Sequence, residues 1–377
     1  MMIALAGTIP SFFKSPDTIL SLRGFWFVVI GVLWTGYLVL EGFDFGVGML
    51  LRVLGRDRAD RRALIHTIGP VWDGNEVWLI VAGGATFAAF PDWYATLFSG
   101  YYIVFFLILI ALIFRGVAIE YRVKRPERRW RSAWELAIVL GSAVPAFLWG
   151  LTFANIIHGV PIDSHGEFSG GLLDLFGGYA ILGGFASLAL FAFHGAVFLA
   201  LRTTGEVRRR AKAFAIRLVV PAAALVLAIF VWSGAGSGAI DGKWIAAALL
   251  AGVASVLLTL SLGLVFRDRD GAAFAATALA ICSSVAAFFV ALYPNVLVSS
   301  TRQGNFFGTV TTVNNLTVFS SSSSHHTLAL MAVVALIFTP IVLVYQTWTY
   351  WVFRARLRGD SLPGEKLLGG SDGRPTP

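Results

Sequence analysis

Two short stretches put carboxylates where an apolar chain seldom holds them. Glu41-Gly42-Phe43-Asp44-Phe45-Gly46 and Trp72-Asp73-Gly74-Asn75-Glu76-Val77-Trp78 each place two acids three residues apart. Both lie in segments long and apolar enough to cross a bilayer. On a helix, i and i+3 share a face, so each pair can point into one interior space. Uncompensated charge at membrane depth is costly, so such acids mark proton or ion paths. The plainer alternative is two sets of helix-end acids paired with loop arginines, which suits Glu41 and Asp44 best, close to the arginine-rich run that begins at Arg52. Asp73 sits well inside its segment, about 14 Å from the segment's start at about 1.5 Å per residue, and is expected near mid-membrane.

The elements that must position these acids follow from composition. A chain of 377 residues that is 57% hydrophobic and only 13% charged is a polytopic membrane protein built of α-helices. Nine spans are expected, over residues 25–51, 64–90, 97–119, 133–157, 173–201, 213–233, 244–266, 272–298 and 326–353. Of the 29 Lys and Arg, 25 fall on alternate connections: Arg52–Arg62, Arg115–Arg131, Arg202–Arg217, Arg267–Arg269 and from Arg354 on. Cytoplasmic loops carry that excess, so the N-terminus is expected outside and the C-terminus in the cytoplasm. The net charge of +8 is thus a topology signal, with anionic lipid headgroups as its partner and no nucleic acid implied.

Other features exclude chemistries. The single cysteine, Cys282, rules out a disulfide framework or cysteine cluster and reads as a small buried hydrophobe. No P-loop or dinucleotide fingerprint occurs. His325 and His326, after the run Ser320 to Ser324, lack ligand-spaced partners, so no metal site is expected. Only His66 and His194 fall within expected spans, and neither has an obvious partner for haem ligation; His194 reads as an interior packed histidine. Met1 to Gly7 is too short for a cleavable signal, and Lys14 and Arg23 follow it rather than precede it. Gly42, Gly46 and Gly48, then Gly177-Gly178 and Gly183-Gly184, suit close helix packing.

At this point the residues meet a family. Gly42 to Leu50, Trp72 to Leu79, Phe114-Arg115 with Ile119-Glu120-Tyr121-Arg122, Leu292-Tyr293-Pro294-Asn295 and Tyr345 to Trp351 resemble subunit II of the cytochrome bd-type quinol oxidases. The motifs bracket residues 41 to 351, nearly the whole membrane region. Glu41 stands where the family often has aspartate, which keeps the carboxylate. The N-terminal extension, the serine-rich segment before His325 and the tail depart from the pattern.

The resemblance implies two four-helix bundles, 25–157 and 173–298, plus a peripheral ninth helix, 326–353. Around them lie an extracytoplasmic extension, 1–24, external loops 158–172 and 299–325, and a disordered cytoplasmic tail, 354–377. It implies a partner, subunit I, that carries b and d haems and oxidises quinol in the bacterial cell membrane. This chain is then the companion that ligates no haem, stabilises subunit I and contributes a cytoplasmic proton pathway to the oxygen-reducing site. A bound quinone and small accessory membrane subunits belong to the same expectation. Carried over, Asp73 is the inner relay acid, with Glu76 one turn further on and Glu41 and Asp44 nearer the cytoplasmic entrance. Arg115 neutralises a carboxylate or haem propionate, or is an ordinary positive-inside arginine. Asn75, Glu120 and Arg122 support the site or the subunit interface, and Trp72 and Trp78 pack on subunit I or in the core. A proton-coupled secondary transporter using the same acids is the alternative of another class, though its polar groups would recur in two halves.

Overall fold

The computed structural model describes residues 19, 21–236, 242–304, 310–312 and 314–357. The tail beyond Gly359 and most of the 1–24 extension fall outside the described residues. Among those described, eleven α-helices form: α1 (Leu22–Leu54), α2 (Arg58–Ile68), α3 (Trp72–Ala89), α4 (Pro91–Gly100), α5 (Tyr102–Tyr121), α6 (Arg128–His158), α7 (Gly178–Arg202), α8 (Gly205–Gly236), α9 (Gly242–Phe266), α10 (Asp270–Leu292) and α11 (His325–Val352). Eight of them are long and apolar enough to span a membrane: α1 and α5 to α11.

The expected span over 64–90 is two elements. Asp57 caps α2, its carboxylate accepting from the Asp60 backbone N–H at 2.8 Å. The helix stops at Gly69-Pro70, because proline lacks an N–H and crowds the residue before it out of the helical region. A new helix, α3, starts at Trp72 and runs 18 residues, about 27 Å. Asp73 therefore lies in the first turn of α3, not nine residues into a span.

Helix α1 is the hub, packed on α2, α3, α6, α7, α10 and α11. It crosses α7 backbone to backbone: a Cβ on Gly195 would meet Gly46 Cα at 2.5 Å, and one on Gly46 would strike the Phe191 carbonyl. A similar approach joins α6 to α7 at Gly150 and Gly183. Small residues at such crossings let dispersion contacts replace a hydrophobic drive that lipid cannot supply. Gly177 and Gly178 differ from expectation. They have open space around them and serve the start of α7 instead.

The molecule has two distinct ends. At one, Asp270 at the head of α10 accepts from Arg208 Nη2 at 2.8 Å and from Arg356 Nη2 at 2.9 Å. Arg210 donates to Asp60 at 2.6 Å, and the Leu357 N–H to the Arg202 carbonyl at 2.8 Å. Hydrogen bonds from Lys212 and Arg208 hold the Asp268 carboxyl below the usual carboxylate range. The loops after α1, α7, α9 and α11 thus meet, and these are the arginine-rich connections. At the opposite end, strand β1 (Asn295–Leu297) pairs antiparallel with β4 (Leu316–Thr317), between them β2 (Arg302–Gly304) pairs with β3 (Val310–Thr312), and Val160 exchanges backbone bonds with Val298 and Ser300. Arg115 stands apart among the basic residues: it is fully buried within α5.

Gly46→Val is expected to separate α1 from α7. Heat stability of the detergent-solubilised chain should then collapse, whereas Gly177→Ala should leave the unfolding temperature within about 2 °C of the parent.

Candidate functional site

The acids converge on one guanidinium. Glu41 and Asp44 sit on a core face of α1, both with no solvent exposure. Arg115 enters from α5 and reaches Glu41 Oε2 with Nη1 at 2.5 Å. Its Nη2 lies 3.9 Å from Asp44 Oδ2, and Nη1 lies 3.6 Å from Glu76 Oε1. The Phe45 ring lies 4.8 Å below the guanidinium carbon, a further cation–π contact. Asp44 lies about 15 Å before the end of α1 and Arg115 about 9 Å before the end of α5, both on the side of the arginine-rich loops.

Three carboxylates face one cation. Burying an unbalanced charge costs several kcal/mol per ion, so the carboxylates beyond the first must hold protons or reach water. Glu41 Oε1, Asp44 Oδ1 and Glu76 Oε1 are buried without a hydrogen-bond partner among the described residues. The cluster can therefore take up and release protons at unpartnered oxygens, and Glu76, with a quarter of its side chain exposed, connects it to the surface of α3.

A chain of amides sets the far side. The Trp78 indole, which can only donate, gives its Nε1–H to Gln346 Oε1 of α11 at 2.7 Å. That turns Gln346 Nε2 toward Asn75 Oδ1, 3.1 Å away, which also accepts from Tyr350 Oη at 2.7 Å. Asn75 is left with its Nδ2 aimed at Asp44 Oδ2, at 2.7 Å. One donor-only ring thus fixes Asp44 Oδ2 as an acceptor, and a proton on Asp44 belongs on Oδ1. Asn75 was expected from its motif. Gln346 and Tyr350 were visible only as part of the Tyr345–Trp351 motif, without a role.

The sequence model of the family described as "Cytochrome bd terminal oxidase subunit II" matches residues 22–353. The chain belongs to that family. It is 38% identical to the cytochrome bd ubiquinol oxidase subunit 2 of Bacillus subtilis, over 89% of this chain and 97% of that protein. It is 35% identical to the cytochrome bd-I ubiquinol oxidase subunit 2 of Escherichia coli K12, over 90% of this chain and 96% of that one. Its fold is similar to a chain in the structure of bd oxidase from Geobacillus thermodenitrificans, with a TM-score of 0.69 and 17% identity, covering 88% of this chain and 99% of that one.

In this subunit II the acids exchange the places expected of them. Asp73 is exposed on α3, its Oδ1 accepting from the Gly74 N–H at 2.7 Å, while Glu41 and Asp44 are the interior pair. The reason is the helix break at Gly69-Pro70, which brings the Trp72–Trp78 motif to the head of α3. Arg115 pairs with a carboxylate of its own chain, so the partner expected for it is Glu41. Trp78 packs on Gly36 of α1 and Trp72 on Gly116 of α5, so both are seated within this subunit. Arg122 is buried against Glu135, at 3.3 Å, and Glu120 is exposed. His66 is exposed on α2, outside the spans. His194 is fully buried, with Nδ1 2.7 Å from Thr277 Oγ1, Nε2 3.2 Å from the Val39 carbonyl and its ring stacked on Phe274. Both ring nitrogens are engaged, so it does not fit an axial haem ligand.

Removing the lock should loosen the cluster without emptying it. Gln346→Leu and Trp78→Phe are each expected to slow proton-dependent turnover about threefold, and the double variant to be no slower than Gln346→Leu. Additive losses would show that the two side chains act separately.

Proposed function

We propose that this chain is the companion subunit of a quinol-oxidising, oxygen-reducing membrane complex, and that its Arg115-centred acids carry protons toward the partner's oxygen site. The carrying observation is the excess of buried carboxylates over cations at the arginine-rich end of the bundle. Family membership favours this reading over a proton-coupled transporter. The relatives named above are ubiquinol oxidase subunits, which supports a haem-bearing subunit I and a quinol as partners of this chain also. Reduction of oxygen at a haem of subunit I consumes protons, and uptake from the cytoplasm makes that consumption build the membrane potential.

The residues divide the work. Arg115 holds Glu41 by a direct charge-assisted bond, which keeps a buried acid in place. Asp44, held on one oxygen by Asn75, keeps Oδ1 for the moving proton. Glu76 links this pair to Asp73 on the outer face of α3. Asp73 is thus the surface terminus of the route, and the interior step lies at Asp44. The same fold gives subunit I a neighbour whose segments 25–157 and 173–298 pack together through α1. The charge pattern supports an N-terminus outside, with the arginine-rich end in the cytoplasm.

Asp44→Asn retains shape and an oxygen for Asn75 but no exchangeable proton. Turnover per haem d in the purified complex should fall about tenfold or more, with haem content unchanged. Near-normal turnover in assembled Asp44→Asn enzyme would remove the interior step. Glu41→Gln is expected to act differently: Arg115 loses its one directly hydrogen-bonded carboxylate, and the yield of assembled complex drops.

Orientation has its own measurement. Cysteines placed at Arg58 and Arg209 should be shielded from an impermeant thiol reagent added outside intact cells, and cysteines at His165 and Gly304 should react. The reverse pattern would invert the topology.

A further inference from the structure

Three arginines are buried among the described residues: Arg115, Arg122 and Arg202. The first two pair with Glu41 and Glu135. Arg202, only 8% exposed at the last position of α7, has no carboxylate partner among the described residues. Among the described residues, three acids of that end are engaged elsewhere. Asp60 takes Arg210, Asp268 takes Lys212 and Arg208, and Asp270 takes Arg208 and Arg356. No carboxylate among the described residues balances this guanidinium, and a cation set in a largely apolar wall favours an anion beside it.

Arg202 lines a cavity of about 190 Å³ between α2, α7, α10 and α11. Arg354, just past the end of α11, lines it too. Its side chain is positioned by stacking on Trp351, 4.3 Å away, and by a bond from Nη1 to the Trp351 carbonyl at 2.6 Å. The remaining wall is aromatic, from Phe198, Phe274, Phe353 and the ring of Tyr350. Two guanidiniums and an apolar wall, at the level where arginine-rich loops leave the bilayer, suit one chemistry. Planar guanidinium forks bind phosphate oxygens in pairs, and aromatic rings accept the hydrocarbon beside a headgroup.

We propose that the Arg202–Arg354 cavity is a binding site for an anionic phosphate group, with two possible sources: a phospholipid headgroup or free phosphate. The proposal does not depend on the proton route, and turnover is not its readout. An anion here would neutralise Arg202 next to Tyr350, the residue whose hydroxyl reaches Asn75.

The test uses the whole complex, purified in detergent and stripped of loosely held lipid. Phosphatidylglycerol, phosphatidylcholine and inorganic phosphate are titrated separately, and bound molecules per complex are counted by native mass spectrometry. The Arg202→Gln complex should bind phosphatidylglycerol about tenfold more weakly than the parent, as the loss of a charged hydrogen bond predicts. Arg209→Gln, whose arginine is exposed and paired with Glu206, should bind like the parent. If phosphatidylglycerol binds alike in both but inorganic phosphate binds only the parent, the site takes a free anion. Equal binding of both probes in Arg202→Gln overturns the proposal. So does a variant that sheds the haem-bearing subunit while its lipid and phosphate counts hold, because Arg202 would then answer to a protein acid. Should Arg202→Gln fail to assemble, Arg354→Gln at the exposed rim carries the same measurement, and unchanged binding there overturns the proposal equally.

Discussion

One guanidinium organises the polar interior. Arg115 arrives fully buried from α5 and faces acids from α1 and α3, three helices that lipid alone would not bind to one another. Its bond to Glu41 ties α5 to α1. Its incomplete neutralisation of Asp44 and Glu76 leaves oxygens that can carry protons. Charge balance and helix association therefore meet at one site: a second cation would pair the remaining carboxylates and bind the helices more firmly. The arrangement needs an amide on the other side of Asp44, a group that donates a hydrogen bond without adding charge. Asn75 supplies it.

Much of this was legible in the sequence, and the reasons differ from residue to residue. The spans were legible because apolar runs of twenty or so residues have one use, and the alternation of arginine-rich loops survives as one shared end of the molecule. The pairing of Glu41 with Asp44 on a single face follows from helical periodicity. The depth of Asp73 was misjudged for a local reason. Hydrophobicity continues across Gly69-Pro70, but the backbone does not, so counting residues from 64 measured a helix that stops. Arg115 was counted with the loop arginines, since nothing in its neighbours distinguishes the last turns of a span from the loop beyond. Gln346 and Tyr350 lie about 270 residues from Asn75, and only the folded chain brings them together.

The tryptophans teach the same lesson in another form. Trp72 and Trp78 flank the acids and invite a role at a subunit surface. Within this chain both fill the space above a glycine, Gly116 and Gly36, and both keep part of their surface open. Trp78 spends its indole N–H on Gln346, where a donor that cannot accept imposes a direction on the whole amide chain.

That chain closes through α11, the last of the described helices to be made. Helices α1, α3 and α5 are made early and bring together four charged groups, Arg115, Glu41, Asp44 and Glu76. The amides that finish the arrangement belong to positions 346 and 350 of a 377-residue polypeptide. Synthesis therefore passes through a stage at which the acids are inserted and their final neighbours do not yet exist. A polypeptide that stops short of Gln346 therefore leaves Asn75, and through it Asp44, without the amide and hydroxyl that complete their hydrogen bonding.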